Sequence, residues 1–411
     1  MMKKRKVIQI LTHSLSNIFP TFSISKKIDI QPYEGGWHAK LAKKILKSSS
    51  DYNIECWGME KTINKPIYFE REGINYKIFP SRYFKFLGEV SIPLLKELNR
   101  ITKHENIIIH LHGVFNYTTY LISLLFKDIP IVVQHHGDES SLQGFYENLK
   151  ENKVKGLAYL LLYLIKQEWF FERMALTNVE RFFVLNEDAR AYLSSIVGSE
   201  KVEKLTMGID FEFFKKLDKI KARERLGLDV NKKIVLFVGA FVRLKGLDYL
   251  LRGFSIVLKN YPDSVLLLVG DGYYKNSLEI MVKKLRLEEN VKFLGWVDKS
   301  LLPSLYNAAD VCVLSSLSEG LGVVGIEALA CETPFIGTNV RGIPELVEKF
   351  RAGVLVPPRN PEAIANATIS IFKEKGDFKV NQENAMKYYS WENIVKRTIY
   401  VYAELWERCY G

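Results

Sequence analysis

The chain has 411 residues, of which 47% are hydrophobic and 26% are charged, so its composition is globular and excludes a largely disordered protein. Its length predicts two or three domains, each large enough to bury a hydrophobic core. The formal net charge of +11 favours anionic partners such as phosphates, acidic lipid surfaces or nucleic acid, although most individual lysines of such a surface serve no partner.

The four cysteines are scattered along the chain, with no CxxC spacing. They fit neither a zinc site nor a disulfide framework, so we expect a reducing, cytoplasmic compartment. The apolar run at residues 7–11 is too short for a secretory signal peptide. The run at residues 157–165 falls well short of the roughly 20 residues that a membrane-spanning helix needs. The sequence therefore predicts a protein that is soluble or peripheral to a membrane.

The first half of the chain alternates β-branched runs with helical patterns. Strands are expected at residues 7–11, 54–57, 74–79, 107–111, 131–134 and 181–185. Helices are expected at residues 39–47 and 94–101, and from 186 to about 196. A glycine pair, Gly35-Gly36, stands shortly before the first of these helices. On its own, the pair indicates only a flexible start of a helix.

Two of these strands end in histidine and glycine, as His112-Gly113 and His136-Gly137. The carboxyl ends of parallel strands form the edge at which open α/β folds bind ligands, so these histidines are candidate site residues. A metal site built from four neighbouring histidines is conceivable here. We expect none, because adjacent side chains of a strand point to opposite faces and no acidic residue completes the set.

Residues 154–176 are rich in leucine and aromatic residues, with basic residues interleaved. The pattern predicts a long amphipathic helix. We favour a helix whose apolar face packs on the core of its own domain. The alternative is contact with a membrane surface, where basic residues meet acidic head groups and aromatic side chains lie at the interface.

The second half repeats the alternation of strands and helices. Strands are expected at residues 234–238, 265–269, 291–294, 311–314, 335–337 and 354–356. Helices are expected at residues 247–258 and 388–406, the latter rich in tyrosine and tryptophan. Strands that alternate with helices predict parallel sheets covered on both faces. The charged stretch at residues 215–229 indicates a linker with a short helix.

Residues 311–331 combine a strand, a turn rich in serine and glycine at 315–322, and a helix. This order places backbone N–H groups and the positive end of a helix dipole at one point, which binds phosphate or a developing anion. Two carboxylates bracket the turn, Glu319 within it and Glu327 in the helix. Taken alone, the pattern also fits an ordinary connection in which Glu319 is a favourable charge near a helix start.

The same stretch resembles the signature of the retaining glycosyltransferases of family four. The matching residues are Glu319-Gly320-Leu321-Gly322 and, after four more residues, Glu327-Ala328-Leu329-Ala330. The resemblance extends over nearly the whole chain and is strongest at residues 234–358. It implies an α/β chain of the GT-B fold, with two Rossmann-like domains facing a central cleft. The first domain would comprise residues 1–210 and a returning helix at 388–411, and the second residues 211–387.

The resemblance also implies a reaction. A sugar would move from a nucleotide-diphosphate sugar to a hydroxyl of a saccharide or lipid-linked glycan, with retention of configuration and without a metal or other cofactor. The physical demand of such a transfer is the negative charge that grows on the leaving pyrophosphate. Lys245 and Arg243 would stabilise it. Arg243 departs from the family pattern, in which the arginine directly follows the loop's first glycine, where this chain has Ala240.

The other site residues follow from the same resemblance. Glu319 would hold hydroxyl groups of the donor sugar, Glu327 would hold those of the ribose, and His136 would lie near the donor sugar. The catalytic set would thus be Glu319, Lys245, Arg243 and His136. The remaining residues expected to bind substrate, largely through their backbone, are Gly35, Gly36, Gly320, Leu321, Gly322, Val323, Gly295, Trp296 and Val297.

Two other functions fit the sequence. One is a nucleotide-sugar epimerase on the same two-domain plan, to which the histidines of the first half could contribute. The other is a protein that binds nucleotide sugar or membrane without catalysis. Nucleic-acid binding is not expected, because no recognised motif accompanies the positive charge. We expect a cytoplasmic location, at the inner face of the membrane for a lipid-linked acceptor. Fold and motifs do not choose the base, the sugar or the acceptor.

Overall fold

The computed structural model describes residues 4–12, 36–84, 88–137, 168–351, 353–373 and 382–411. The chain forms two compact units. Unit 1 comprises Met1–Thr206 and Ile394–Gly411, and unit 2 comprises Met207–Asn393. Gly35 and residues 154–167 lie outside the described residues. The predicted glycine pair is therefore described only at Gly36, and the predicted amphipathic helix only near its end.

Unit 1 is built on a mainly parallel sheet. Its described strands are β1 (Arg5–Leu11), β2 (Tyr52–Glu60), β3 (Ile67–Arg71), β4 (Ile74–Pro80), β5 (Arg82–Phe84), β6 (Gly88–Val90), β7 (Ile107–His112), β8 (Ile131–Gln134), β9 (Arg181–Val184) and β10 (Val202–Lys204). Eight of these strands form one sheet in the order β10-β9-β8-β7-β1-β2-β4-β3. Only β3 runs antiparallel to its neighbour, and β5 pairs with β6 separately.

Helices cover the sheet of unit 1 because its central strands are buried on both faces. Every residue of β7 is buried, as expected for a strand with a layer on each side. The helices of this part are α1 (Trp37–Ser48), α2 (Ile92–Thr102), α3 (Tyr117–Leu125), α4 (Glu168–Leu176) and α5 (Glu187–Val197). Ala175 and Leu176, at the end of α4, lie in the hydrophobic core of the unit. This end of the predicted amphipathic segment therefore packs on the core.

Unit 2 is built on a second parallel sheet. Its strands are β11 (Ile234–Val238), β12 (Val265–Val269), β13 (Val291–Gly295), β14 (Val311–Leu314), β15 (Phe335–Thr338) and β16 (Gly353–Val356). They lie in the order β13-β12-β11-β14-β15-β16 within the described residues. The chain order reverses between β11 and β14. The loops that follow these two strands therefore flank the point at which open parallel sheets bind ligands.

The helices of unit 2 alternate with its strands. They are α6 (Lys219–Arg225), α7 (Leu247–Val257), α8 (Lys275–Lys284), α9 (Leu302–Ala308), α10 (Val323–Ala330), α11 (Ile343–Phe350), α12 (Pro361–Lys373) and α13 (Gln382–Tyr389). In α7, five of the six residues predicted to form an apolar face are buried, namely Leu247, Leu250, Leu251, Phe254 and Val257, while Leu258 is half-buried. The helix α10 follows β14 through the turn rich in serine and glycine, as the sequence predicts.

A last helix, α14 (Trp391–Tyr410), belongs to unit 1 from Ile394 onward. The hydroxyl of Tyr410 donates to the carbonyl of Ile107 at 2.8 Å, and Arg397 forms a bidentate ion pair with Glu203 at 2.5 and 2.7 Å. These contacts tie α14 to β7 and β10. Neither this helix nor another within the described ranges has the length and apolar character needed to cross a membrane.

His110 lies in the core of unit 1, beneath α14. Its side chain has no exposed surface, and Nδ1 lies 2.6 Å from the hydroxyl of Tyr402. Burial, together with the smaller effects of the nearby His136 and His38, lowers the pKa of His110 to about 3. The folded chain thus keeps this imidazole neutral where the unfolded chain protonates it, below a pKa of about 6.5. His110 contributes stability that is complete above pH 6.5 and is lost as the pH falls toward 3.

Replacement of His110 by asparagine should weaken this pH dependence. Between pH 7 and 5, the wild-type chain should lose about 2 kcal/mol more free energy of unfolding than the variant, because only its unfolded state takes up this proton. Urea unfolding of unit 1, followed at several pH values, measures the difference. His104→Gln, a change at an exposed histidine, should keep the wild-type slope. Equal slopes for H110N and the wild type would contradict the assignment.

Candidate functional site

The turn between β14 and α10 brings backbone N–H groups to one point of unit 2. Gly322, the residue before α10, has φ 73° and ψ 49°, a left-handed conformation that L side chains rarely adopt. A Cβ on Gly342 would lie 2.5 Å from the carbonyl oxygen of Gly320, so the loop before α11 lies directly against the turn. The first N–H groups of a helix have no partner within it, and the helix dipole adds a positive field. The start of α10 is therefore suited to an anion.

The loop that follows β11 is bound to the start of this turn. It contains a short 3-10 helix, Arg243–Lys245. The hydroxyl of Ser315 donates to the carbonyl of Lys245 at 2.9 Å, and the N–H of Leu317 donates to the carbonyl of Leu244 at 2.7 Å. A Cβ on Gly246 would lie 2.1 Å from the carbonyl oxygen of Ser315. Glycine at position 246 therefore permits the two loops to touch.

This packing brings Lys245 to Glu319. The Nζ of Lys245 lies 2.5 Å from Oε2 of Glu319, and the hydroxyl of Ser316 donates to the same oxygen at 3.2 Å. The two charged side chains are 23% and 15% exposed, so water reaches them but does not surround them. A lysine ammonium has three protons, so Lys245 can hold Glu319 and still donate to a bound anion. The structure thus brings together two of the predicted catalytic residues and the glycine turn.

Arg243 shares the loop of Lys245 but has a different surrounding. Its side chain is exposed, and its guanidinium carbon lies 5.6 Å from the ring centroid of Tyr274. Its backbone N–H donates to the hydroxyl of Tyr273 at 3.2 Å. A cation held over an aromatic ring at an exposed site gains only about 0.5–1 kcal/mol, so a stronger anionic partner can draw it away.

Glu327, on α10, is positioned by a tyrosine that the sequence analysis missed. The hydroxyl of Tyr306 donates to Oε2 of Glu327 at 2.7 Å. Tyr306 is completely buried, and this burial, together with the charge of Glu327, raises the pKa of Tyr306 well above its usual value. The phenol therefore remains protonated and fixes one oxygen of the carboxylate. Tyr306 stands in the short helix α9, where no motif or spacing distinguishes it from a core residue.

Glycines stand at the carboxyl ends of β11, β12 and β13. A Cβ on Gly270 would lie 2.0 Å from the carbonyl oxygen of Gly239, and the N–H of Gly270 donates to the carbonyl of Gly295 at 2.8 Å. These close approaches leave a strand edge free of side chains at the three glycines. The predicted Trp296 and Val297 follow directly, with Trp296 65% exposed. A flat ring can approach such an edge, which suits the predicted binding of a base.

Unit 1 gathers its predicted site residues around His136. The Nε2 of His136 lies 3.0 Å from Nδ1 of His112, and the ring centroids are 5.3 Å apart. Trp37 meets His136 edge to face at 5.5 Å. Gly36 is the residue immediately before α1, which begins at Trp37. The structure therefore places the described glycine of the predicted pair beside the tryptophan that contacts His136.

The neighbouring His135 has other contacts. Its ring lies 6.3 Å from that of Phe115, and its side chain is almost completely buried, whereas His136 is half-buried. The two adjacent histidines thus differ in surroundings, as expected for neighbours at the end of a strand. Within the described parts of the chain, no group of three or more histidine, cysteine, aspartate or glutamate side chains is arranged to hold a metal ion.

The chain is similar to known glycosyltransferases. Residues 218–391 match the family described as glycosyl transferases group 1. An uncharacterised glycosyltransferase of Methanocaldococcus jannaschii is 28% identical over 381 residues, which cover 89% of this chain and 93% of that protein. The structure of sucrose-phosphate synthase from Thermosynechococcus elongatus is 22% identical, with a TM-score of 0.75 over 98% of this chain and 100% of the other. HepE of Anabaena, solved in complex with UDP, is 20% identical, with a TM-score of 0.70 over 97% of this chain and 100% of the other.

The two solved structures match nearly the whole chain, and their likeness assigns the fold. The family match spans all strands of unit 2 and contains Lys245, Glu319 and Glu327. Residues 218–391 therefore match glycosyl transferases group 1, and the chain is a glycosyltransferase of the GT-B fold.

Proposed function

We propose that the chain transfers a sugar from a nucleotide-diphosphate sugar to an acceptor hydroxyl, with retention of anomeric configuration and without a metal ion, as in family four. The observation that carries this proposal is the 2.5 Å contact between Lys245 and Glu319 beside the glycine-capped start of α10. HepE of Anabaena, which has the same fold, has been solved with UDP and with UDP-glucose, which supports a nucleotide-sugar donor.

The proposed chemistry uses the cations of the β11 loop. As the bond between the anomeric carbon and the diphosphate oxygen breaks, negative charge grows on the diphosphate. The ammonium of Lys245 and the N–H groups at the start of α10 are already oriented and stabilise that charge without reorganisation. Arg243 adds a second cation when its guanidinium moves from Tyr274 to the diphosphate. Two cations and a helix start then do the electrostatic work that a divalent metal does in other transferases.

The carboxylates orient the donor. Glu319 accepts hydrogen bonds from hydroxyl groups of the donor sugar, and Glu327, fixed by Tyr306, accepts them from the ribose. The backbone of residues 320–323 approaches the sugar and the phosphates, and the backbone of residues 295–297 holds the base. From unit 1, His136 and the glycine pair Gly35-Gly36 serve the donor sugar.

The proposed location is the cytoplasm, at the inner face of the membrane for a lipid-linked acceptor. Three of the four cysteines, Cys56, Cys312 and Cys331, are buried as free thiols. Burial raises the pKa of each of these thiols, to about 12 for Cys331, so they are unreactive packing residues. Free thiols in a core agree with a reducing compartment.

Replacement of Lys245 or Glu319 by alanine should abolish most transfer. The rate constant kcat is expected to fall by about 10²–10³ for each variant, because a preorganised charge opposite the leaving group is lost. A thermal-shift screen of nucleotide sugars first identifies the donor, and nucleotide release in the presence of acceptor then measures the rate. Lys283→Ala, at an exposed lysine of α8, is the control. Wild-type rates in both K245A and E319A would refute the site.

Tyr306→Phe should act through Glu327 on donor binding. Loss of one hydrogen bond to a charged group should raise KM for the donor about tenfold and change kcat less. The effect should disappear when the nucleotide lacks its ribose hydroxyl groups, since Glu327 then has nothing to bind. A tenfold loss that persists with the dideoxy nucleotide would mean that Tyr306 serves only the core.

Two further properties of the reaction can be measured together. Excess EDTA should leave the rate of transfer unchanged, because lysine, arginine and a helix start supply the electrostatic stabilisation. The anomeric proton coupling of the product should match that of the donor. Loss of activity that Mg²⁺ or Mn²⁺ restores would contradict the first statement, and an inverted coupling would contradict the second.

A further inference from the structure

A cleft of about 480 Å³ opens on unit 1, and none of its described lining residues is a histidine. Pockets that hold small ligands usually measure about 300–1,000 Å³, so its size is sufficient for one. It lies between the ends of β2 and β4, the β5–β6 pair and the start of α2. Among the described residues, its lining consists of Lys61, Ile63, Asn64, Pro80, Ser81, Arg82, Phe84, Val90, Ile92, Pro93 and Lys96.

The charge of this lining has one sign. Lys61, Arg82 and Lys96 are the charged side chains among the lining residues, and none of the others is a carboxylate. Three acidic residues adjoin the lining in sequence. Glu97 pairs with Lys77 and Arg100, and the other two accept from hydroxyl groups, one of which belongs to the lining. Glu89 accepts from the hydroxyl of Ser81 at 2.5 Å, and Glu60 accepts from the hydroxyl of Thr62 at 3.0 Å. Three cations around one concave surface raise the local concentration of anions.

The rest of the wall is largely apolar. Ile63 and Val90 are buried at the base, while Phe84 and Ile92 are 39% and 49% exposed. Large apolar side chains that stay exposed in one cleft mark a binding surface when polar groups surround them. The cleft therefore offers an apolar wall together with a cationic rim, which is complementary to an amphiphilic anion.

Its place in the sheet points to a substrate. The parallel strands β2 and β4 are in register from Glu55↔Asn75 to Glu60↔Pro80, so both end at the carboxyl edge of the sheet. Open α/β sheets bind their ligands at that edge. Unit 1 lies wholly outside the family match of residues 218–391, so the match assigns no ligand to this cleft.

We propose that this cleft binds the phosphate or diphosphate group of an amphiphilic acceptor, with Arg82 and Lys96 on the anion and Phe84 and Ile92 against the apolar portion. The identification of this ligand as an acceptor rests on the proposed transferase function. The binding of an amphiphilic phosphate to the cleft does not depend on that function. The same chemistry is present in a lipid-linked phosphate within a bilayer and in a soluble phosphorylated molecule.

Direct binding tests the cleft. The probes are octyl phosphate, octyl glucoside as its neutral counterpart, inorganic pyrophosphate, and phosphatidylcholine vesicles with and without phosphatidylglycerol. The variants are Arg82→Gln and Lys96→Gln, singly and together, and Lys103→Gln at the other end of α2 is the matched control. Each single variant should weaken binding of octyl phosphate about tenfold, because one charged hydrogen bond is lost, and Lys103→Gln should change nothing.

The soluble probes and the vesicles distinguish a soluble phosphorylated ligand from a lipid phosphate. Binding of octyl phosphate or pyrophosphate in solution, lost in the cleft variants, indicates a soluble phosphorylated ligand. Binding only to vesicles that contain phosphatidylglycerol, lost in the same variants, indicates a lipid phosphate. Equal binding of octyl glucoside, or an equal loss in Lys103→Gln, would overturn the proposal, and so would the absence of binding to every phosphate probe.

A parallel thermal-shift measurement with UDP-glucose and other nucleotide sugars keeps the two proposals distinct. A chain that binds nucleotide sugar but no phosphate probe retains the proposed function and loses the cleft. A chain that binds octyl phosphate through Arg82 and Lys96 but no nucleotide sugar retains the cleft as an anion site and loses the proposed function.

Discussion

The candidate site of unit 2 depends on one interaction, which places the ammonium group of Lys245 beside Glu319 and the start of α10. Lys245 reaches Glu319 because hydrogen bonds from Ser315 and Leu317 join the loops after β11 and β14. The two loops can approach this closely because Gly246 has no side chain. These two strands are neighbours although a long stretch of sequence separates them. The reversal of strand order thus creates the site, and glycine lets its two sides approach.

Continuous β-branched runs made the strands β7, β11, β12 and β14 predictable, because a parallel strand buried on both faces needs little else. The short pair β5–β6 and the antiparallel β3 were missed, since short edge strands carry a weak pattern. The signature Glu319 to Ala330 located the turn between β14 and α10 and the proposed site there directly. Tyr306 could not be found, because its role follows from packing against α10. Likewise, the stacking of Arg243 on Tyr274 has no counterpart in sequence spacing.

The candidate site of unit 2 is easier to recognise from the sequence than the cleft of unit 1. In unit 2, the candidate site residues lie within short, recognisable loops. In unit 1, the lining of the cleft comes from residues that are far apart in the sequence, such as Lys61, Arg82 and Lys96. A pattern search cannot join such residues, whereas the sheet does so through the shared ends of β2 and β4. A lining assembled from such distant residues can change while the short loops of unit 2 stay recognisable.

The helix α14 has a consequence for how the protein is made. Val401, Tyr402 and Leu405 are fully buried residues of unit 1, yet they follow unit 2 in the sequence. A ribosome delivers unit 2 as one uninterrupted segment before it delivers them. Unit 2 can therefore finish folding during synthesis, before His110 of unit 1 can form its hydrogen bond with Tyr402. Until then, the nascent first unit exposes an apolar face that a chaperone can recognise.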